Sequence, residues 1–255
     1  WALSDEGARR GVVTHSSGNH GAALALAAHT RGIAAHVVVP EGAVAAKVAA
    51  IRDYGATLHV CAPTLAARDE AAARVVRETN ATLVHPFTNE NVIAGQGTAA
   101  LELLRETGEL DALIAPIGGG GLIGGCAIAA RGKFPQIRIF AAEPEGAADA
   151  CESLRRGARV TDIVPDTICD GLRATFGEIN FELLRKYDVE VLTVSDAETI
   201  AAMRLVFERM KIVVEPSSAV VLAAILRHRE RFANLRVGAI LSGGNVDLDA
   251  MPWRT

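Results

Sequence analysis

A chain of 255 residues with a formal net charge of −4 carries no electrostatic footprint for nucleic acid or anionic lipid, and none of its apolar runs approaches the roughly 20 residues of a membrane span. Half of its residues are hydrophobic and only 4% aromatic, with alanine, valine, leucine and isoleucine dominating, which suits buried parallel strands covered by helices. The four cysteines, Cys61, Cys126, Cys151 and Cys169, lack CxxC or metal spacing and predict reduced, mostly buried thiols in a cytoplasmic protein, not a disulfide framework.

Strand-like and helix-like segments alternate from the start. Val12 to Thr14 reads as a short strand and Gly21 to Arg31 as an alanine-rich helix. His36 to Val39 is a strand ended by Pro40, and Val44 to Tyr54 a helix stopped by Gly55. A strand over Thr57 to Cys61 leads to a helix over 65–79 and a strand over 82–84. A helix from Val92 to Arg105 follows, then a strand from Ala112 to Ile117 that runs into four glycines and another helix. Ile137 to Ala142 is a further strand. Ser195-x-x-Glu198 is a capping box that opens a helix to about Met210. Ser217 or Ser218 is placed to cap a helix to about His228, and Val237 to Leu241 is a final buried strand. This order predicts an α/β fold with parallel sheets and helices on both faces. Pro86 and the polar residues after it mark a boundary between a smaller domain, 1–88, and a larger one, 89–255.

In parallel α/β sheets, ligands collect at the carboxyl ends of strands, where loops lead into helix N-termini. Three loops fit that position. Thr14-His15-Ser16-Ser17-Gly18-Asn19-His20-Gly21 gathers two hydroxyls, an amide and several N–H groups before a helix. Orphan N–H groups and the helix dipole there favour an anion such as a carboxylate; an ordinary helix cap, which needs one such side chain, is the plainer alternative. Gly118 to Gly121 lets the backbone approach a ligand closely and aim N–H groups at a phosphate, each charge-assisted bond contributing about 1.5 to 3 kcal/mol. Gly119-x-Gly121-x-x-Gly124, with Glu143 near the end of the following strand, also satisfies the dinucleotide fingerprint, so a Rossmann-type dinucleotide enzyme is a rival reading. Its mid-chain position, and the first loop it leaves unexplained, weigh against it. Ser242-Gly243-Gly244-Asn245 follows the last strand, where a hydroxyl can donate to a ring nitrogen or simply cap the element.

Together and in this order, Ser16 to Gly21, His85-Pro86 followed by Val92-Ile93-Ala94-Gly95-Gln96-Gly97-Thr98, Gly118 to Gly121, Ala142-Glu143-Pro144, Glu215-Pro216-Ser217 and Ser242 to Asn245 resemble one family. It is the fold-type II pyridoxal-phosphate (PLP) enzymes, specifically serine racemase and the serine/threonine dehydratases, and the similarity runs from about Gly11 to about Asp247. The resemblance implies a tryptophan synthase β-like fold of two domains, the first carrying the Ser-Ser-Gly-Asn-His loop and the second the PLP phosphate. It implies an ammonia-lyase of L-serine, L-threonine or 3-hydroxyaspartate, with serine racemase activity as a companion, in a cytoplasmic homodimer that takes a small amino-acid substrate.

Residue by residue, Gly118, Gly119, Gly120 and Gly121 would hold the PLP phosphate, Asn19 the cofactor's ring oxygen and Ser242 its pyridine nitrogen. Ser16, Asn19 and His20 would belong to the loop that receives the substrate carboxylate. Ser17 would move the α-proton on the face opposite the lysine, which racemisation needs and elimination alone does not. Arg68 resembles an arginine that faces a second substrate carboxylate, with a solvated helix charge as the alternative. Glu143, the carbonyl of Ala147, and Asp149 match a divalent-cation site for Mg²⁺, or Ca²⁺ or Mn²⁺, with a solvated helix start as the alternative for the two carboxylates. Tyr54 resembles a tyrosine near the interdomain cleft, and His85 is read as structural.

One departure stands out. The family's Schiff-base lysine lies in a serine-phenylalanine-lysine-x-arginine-glycine context upstream of the first loop, and none of Lys47, Lys133, Lys186 or Lys211 has that context. With Trp1 at the start and no methionine before Met203, the chain is expected to be an N-terminally truncated piece of a longer product. A catalytically inert, PLP-binding fragment is therefore the alternative to an active enzyme.

Overall fold

The computed structural model describes residues 2–253, the side chain of residue 65 aside. Contacts divide the chain into two compact units, with the division between Asn89 and Glu90.

The first unit runs α1 (Asp5–Arg10), β1 (Val12–His15), α2 (Asn19–Arg31), β2 (Ala35–Pro40), α3 (Ala45–Asp53), β3 (Thr57–Cys61), α4 (Leu65–Thr79) and β4 (Thr82–Leu83). Its four strands are all parallel, in the order β3-β2-β1-β4. Side chains alternate along each strand, so the sheet is buried twice. Val12, Val37 and Val39 pack on Ala25 and Ala28 of α2 and Ile51 of α3, while Val13 and Val38 pack on Ala71, Ala72 and Val75 of α4. The predicted bounds of β3 and α4 agree with the structure: the Thr64 hydroxyl caps the Ala67 N–H, and Asn80 ends the helix in the left-handed region. The short helix α1 is absent from the predicted elements, although Ser4 caps it and its charges, Asp5 and Glu6 early, Arg9 and Arg10 late, follow the helix dipole.

The second unit runs α5 (Glu90–Gln96), α6 (Thr98–Thr107), β5 (Ala112–Pro116), α7 (Gly121–Lys133), β6 (Arg138–Pro144), α8 (Asp149–Arg156), α9 (Glu178–Lys186), β7 (Glu190–Val194), α10 (Asp196–Met210), α11 (Pro216–Arg227), α12 (Arg229–Phe232) and β8 (Val237–Ala239), with 3₁₀ turns at Glu145–Ala147 and Asp170–Leu172. Its strands are parallel in the order β7-β6-β5-β8. The central strand β5 is buried throughout, and the capping box at Ser195 and Glu198 opens α10 as expected.

Three expectations need correction. The single helix over Val92 to Arg105 is two helices that meet at Gly97, which lies so close to α7 that a Cβ there would stand 2.6 Å from the Gly125 carbonyl oxygen. Neither Ser217 nor Ser218 caps α11. That helix starts at Pro216 after Glu215; both serines are buried, and the Ser217 hydroxyl accepts the Gly171 N–H at 2.9 Å. The last strand stops at Ala239, short of Leu241. Helices α8, α9 and α12 and strand β7 were not among the predicted elements.

Both sheets place their strands in the sequence third, second, first, fourth. Each chain path therefore reverses direction between its first and fourth strands, β1 and β4 in one unit, β5 and β8 in the other. Such a reversal opens a crevice at the carboxyl ends of the strands. The Ser16 to Gly21 loop follows β1, His85 lies just beyond β4, the four glycines follow β5, and Ser242 lies beyond β8. All four cysteines are free, Cys126 and Cys169 buried and Cys61 and Cys151 half-buried. Among the described residues no helix is long and apolar enough to cross a membrane.

Candidate active site

The four glycines after β5 are all buried, and Gly121 begins α7. The first amides of a helix have no intrahelical acceptor, so this buried turn presents N–H groups in need of an anion. The loop's carbonyls are held elsewhere. Gly119 oxygen accepts the Asn180 side chain at 2.6 Å and the Gly177 N–H at 3.1 Å, while Gly120 oxygen accepts Gly124 N–H inside the helix. Gly120 has φ +91°, and a Cβ there would stand 2.7 Å from the Phe176 ring and 2.8 Å from Asn180 Cβ, so only glycine fits. Phe176, Gly177 and Asn180 are the residues that sequence reasoning missed. They lie more than fifty positions downstream of the loop they shape, and nothing local marks them.

Beyond β8, Ser242 is exposed, and the loop is fixed by Gly243 oxygen, which accepts the Glu215 N–H at 3.0 Å. Its hydroxyl is therefore accessible on a tethered turn. The lysines lie in other settings. Lys133 ends α7, where its ammonium donates to Leu104 oxygen at 3.0 Å, about 18 Å along the helix from Gly121. Lys211 donates to Glu208 oxygen, Lys186 ends α9 beside the Tyr187 ring, and Lys47 is buried in the first unit.

In the first unit, Ser16, Ser17, Asn19 and His20 are half-buried around the start of α2. The Ser16 hydroxyl accepts the Gly18 N–H at 3.4 Å, and the turn is so tight that a Cβ on Gly21 would stand 2.1 Å from Ser16 oxygen. Gly18 is the residue before the helix and supplies no side-chain cap to the first turn of α2. His20 bonds the Val84 backbone, but its Nε2 is buried without a partner among the described residues. Burial pushes its pKa down to about 4, with His15 and His85 adding repulsion, so the ring is neutral at pH 7.

His85 Nδ1 accepts the N–H groups of Phe87 and Thr88 at 3.4 and 3.2 Å, which agrees with a structural role, and its ring stands edge-on to His15. Arg68 of α4 acts electrostatically on His15, and its buried Nε has no hydrogen-bond partner among the described residues. That does not match a fully solvated helix charge. Tyr54 is exposed at the end of α3.

Glu143 and Asp149 are 0% and 1% exposed, which removes the solvated alternative for both. The Glu143 oxygens accept the N–H groups of Ala150 and Cys151, each at 2.9 Å. Burial nevertheless pushes its carboxyl up to about 8, and the nearby Asp149 adds to the rise. Asp149 accepts the Phe176 N–H at 2.7 Å, and Ala147 is buried at the end of the 3₁₀ turn. Among the described residues no group of three or more His, Cys, Asp or Glu side chains gathers as a metal site. Two carboxylates, a carbonyl and water would make up the set. A cavity of about 450 Å³ bordered by Arg131, Arg138, Cys151 and Glu190 lies toward the amino ends of β6 and β7, away from the loops described above.

A model of the family described as pyridoxal-phosphate dependent enzyme matches residues 1–243. The chain is 46% identical over 253 residues to the beta-hydroxyaspartate dehydratase of Paracoccus denitrificans (strain Pd 1222), covering 99% of this chain and 80% of that protein. It is 46% identical over 257 residues to the serine racemase of Arabidopsis thaliana, covering 98% of this chain and 77% of that one. The solved structure of maize serine racemase matches with a TM-score of 0.94 at 45% identity, over 97% of this chain and 77% of that chain. The rival dinucleotide reading is thereby set aside. With its parallel sheets, its buried glycine turn and these matches in agreement, the chain belongs to the pyridoxal-phosphate dependent enzymes of fold type II.

Proposed function

We propose that this chain is a PLP-dependent ammonia-lyase of small β-hydroxy amino acids, namely L-serine, L-threonine and 3-hydroxyaspartate, with racemisation of serine as a second activity. The observation that carries the reading is the buried four-glycine turn that opens α7 next to β8. Its N–H groups, with the Gly119 carbonyl held by Asn180 and Gly177, fit a phosphate without needing a lysine. Gly118, Gly119, Gly120 and Gly121 would hold that phosphate, Asn19 the ring oxygen and Ser242 the pyridine nitrogen. When bound, PLP supplies the electron sink that acidifies the substrate's α C–H bond.

The chain's own groups bind and orient the amino acid. Ser16, Asn19 and the N-terminal end of α2, whose dipole favours an anion, would take the α-carboxylate. His20, kept neutral by burial, offers its unpartnered Nε2 to a substrate polar group without adding charge. Arg68 would pair with the second carboxylate of 3-hydroxyaspartate, supported by its unsatisfied buried Nε. Ser17 would hold and move the α-proton on one face. Glu143, Asp149 and the Ala147 carbonyl would hold Mg²⁺, Ca²⁺ or Mn²⁺ through hard oxygen donors. A cytoplasmic homodimer completes the reading and rests on the family resemblance alone.

The test is release of keto acid and ammonia from each of the three substrates by the PLP-loaded enzyme in a form that carries the family's Schiff-base lysine, beside Gly120→Ala in the same form. The expected result is product from at least one substrate and loss of PLP binding in the variant, because the added methyl meets Phe176 and Asn180 at a left-handed φ. No product from any of the three would overturn the assignment.

A further inference from the structure

Away from these loops, two histidines meet on the face of the first sheet that lies under α4. His36 of β2 and His59 of β3 bring Nδ1 and Nε2 to 3.2 Å, with ring centroids 5.3 Å apart and planes inclined by 46°. The register explains the meeting. Val38 is aligned with His59, and residues two apart on a strand share a face. Val38 and Cys61, each two residues beyond one of these histidines, both belong to the cluster under α4. Each imidazole is half-buried, so ions in solution can reach the pair.

We propose that His36 and His59 form a two-histidine site for a borderline divalent transition-metal ion of the zinc and copper type, separate from the carboxylate site for a hard cation. The spacing carries the inference. A tetrahedral ion with imidazole bonds of about 2.0 to 2.1 Å holds two nitrogens about 3.3 Å apart, and these two already stand at 3.2 Å. Either ring nitrogen serves as a donor to such ions, and imidazole suits zinc and copper while magnesium and calcium prefer oxygen.

The pair is also in the right state. Burial lowers both pKa values, and His59 further lowers that of His36. On His59 the opposing charges of Glu78 and Arg74, paired on α4 at 3.9 Å, pull in opposite directions. Both rings are thus neutral at pH 7. In the metal-free pair one nitrogen donates to the other; metal binding moves that proton to the far nitrogen of the same ring, so none is released. Because no third His, Cys, Asp or Glu side chain completes a cluster among the described residues, water fills the remaining positions and affinity is micromolar. The consequence is structural. β3 is the edge strand of its sheet, and a metal bridge to β2 pins an edge that otherwise presents open backbone groups.

The test is calorimetric titration of the purified chain with zinc chloride, paired with the electron paramagnetic resonance spectrum of the chain loaded with one equivalent of Cu²⁺. The expected result is one zinc bound at micromolar Kd and a Tm rise of a few degrees with zinc when magnesium is already present in excess to occupy the carboxylate site. His36→Ala and His59→Ala should each weaken zinc binding at least tenfold, and the copper spectrum should show two imidazole nitrogens in the unsubstituted chain. That spectrum reads the ligands directly, so a poorly folding variant leaves the test intact. Zinc binding unchanged in both variants, absence of a zinc-dependent Tm shift, or a copper spectrum without paired imidazoles would each reduce the contact to a hydrogen bond.

Discussion

The Asp149 carboxylate accepts the Phe176 N–H at 2.7 Å, and the Phe176 ring occupies the space that a side chain on Gly120 would need. A buried acid is thereby linked through one residue to the turn assigned to the phosphate. The link is strengthened from the other side by Arg159, whose guanidinium donates to Phe176 oxygen at 3.0 Å.

If Glu143, Asp149 and Ala147 hold a cation, chelation should lower both the Tm and the activity of the holoenzyme, because a ligand bound only to the folded state stabilises it. Asp149→Asn keeps an acceptor for the Phe176 N–H but removes the charge. Its Tm should no longer respond to the chelator. A variant as chelator-sensitive as the parent would remove the cation from the proposal.

Stability below neutral pH should depend on the histidines of the first unit. Burial holds His20 and His85 near pKa 4 in the folded chain, against about 6.5 when unfolded. As pH falls from 6.5 toward 4, the unfolded chain takes up protons that the native chain does not. Stability is therefore full above 6.5 and lost below it, by up to about 1.4 kcal/mol per pH unit for His20 with its buried Nε2 and by less for the half-buried His85, whose charge solvent screens. His85→Asn retains an acceptor for the Phe87 and Thr88 N–H groups and should flatten the slope between pH 6.5 and 5. Urea denaturation at several pH values measures it; coincident slopes would show that His85 does not titrate as described.

Much of this was legible in the sequence because it is local. Ser195 with Glu198 and the Gly118 to Gly121 run announce themselves within a few residues. What was not legible arises from distant packing. The break at Gly97 comes from Gly125 on another helix, and Ser217, a good cap by type, instead bonds Gly171, 46 residues away. The same holds for the candidate site. The loops could be read, but the closure of Phe176 and Asn180 over Gly120, and the burial that separates Glu143 and Asp149 from a solvated helix start, depend on chain segments meeting in three dimensions.

Arg68 gives a test of substrate choice. A hydrogen bond to a charged group contributes about 1.5 to 3 kcal/mol, so Arg68→Ala should lower kcat/KM for 3-hydroxyaspartate by about 10- to 100-fold. L-Serine, which has no second carboxylate, should change little. Steady-state rates on both substrates decide, and an equal fall on both would assign Arg68 to folding of α4 rather than to recognition.

Ser17 offers the sharpest test of mechanism. Racemisation requires a proton to be removed from one face of the α-carbon and returned on the other. Elimination from an L-substrate requires removal on one face only. Ser17 sits half-buried in the bend before α2, within the loop assigned to the carboxylate, where its hydroxyl has access to a ligand bound there. Loss of one acid/base group lowers a rate by about 10² to 10⁴-fold. Ser17→Ala in the holoenzyme should therefore remove most conversion of L-serine to D-serine and leave pyruvate formation from L-serine largely intact. Because Ser17 adjoins Ser16 in the carboxylate loop, a modest rise in KM for both reactions is compatible with this role. Chiral chromatography of serine and a coupled pyruvate assay on the same preparation read the two rates side by side. An equal loss of both would mean that Ser17 positions the substrate instead of moving its proton.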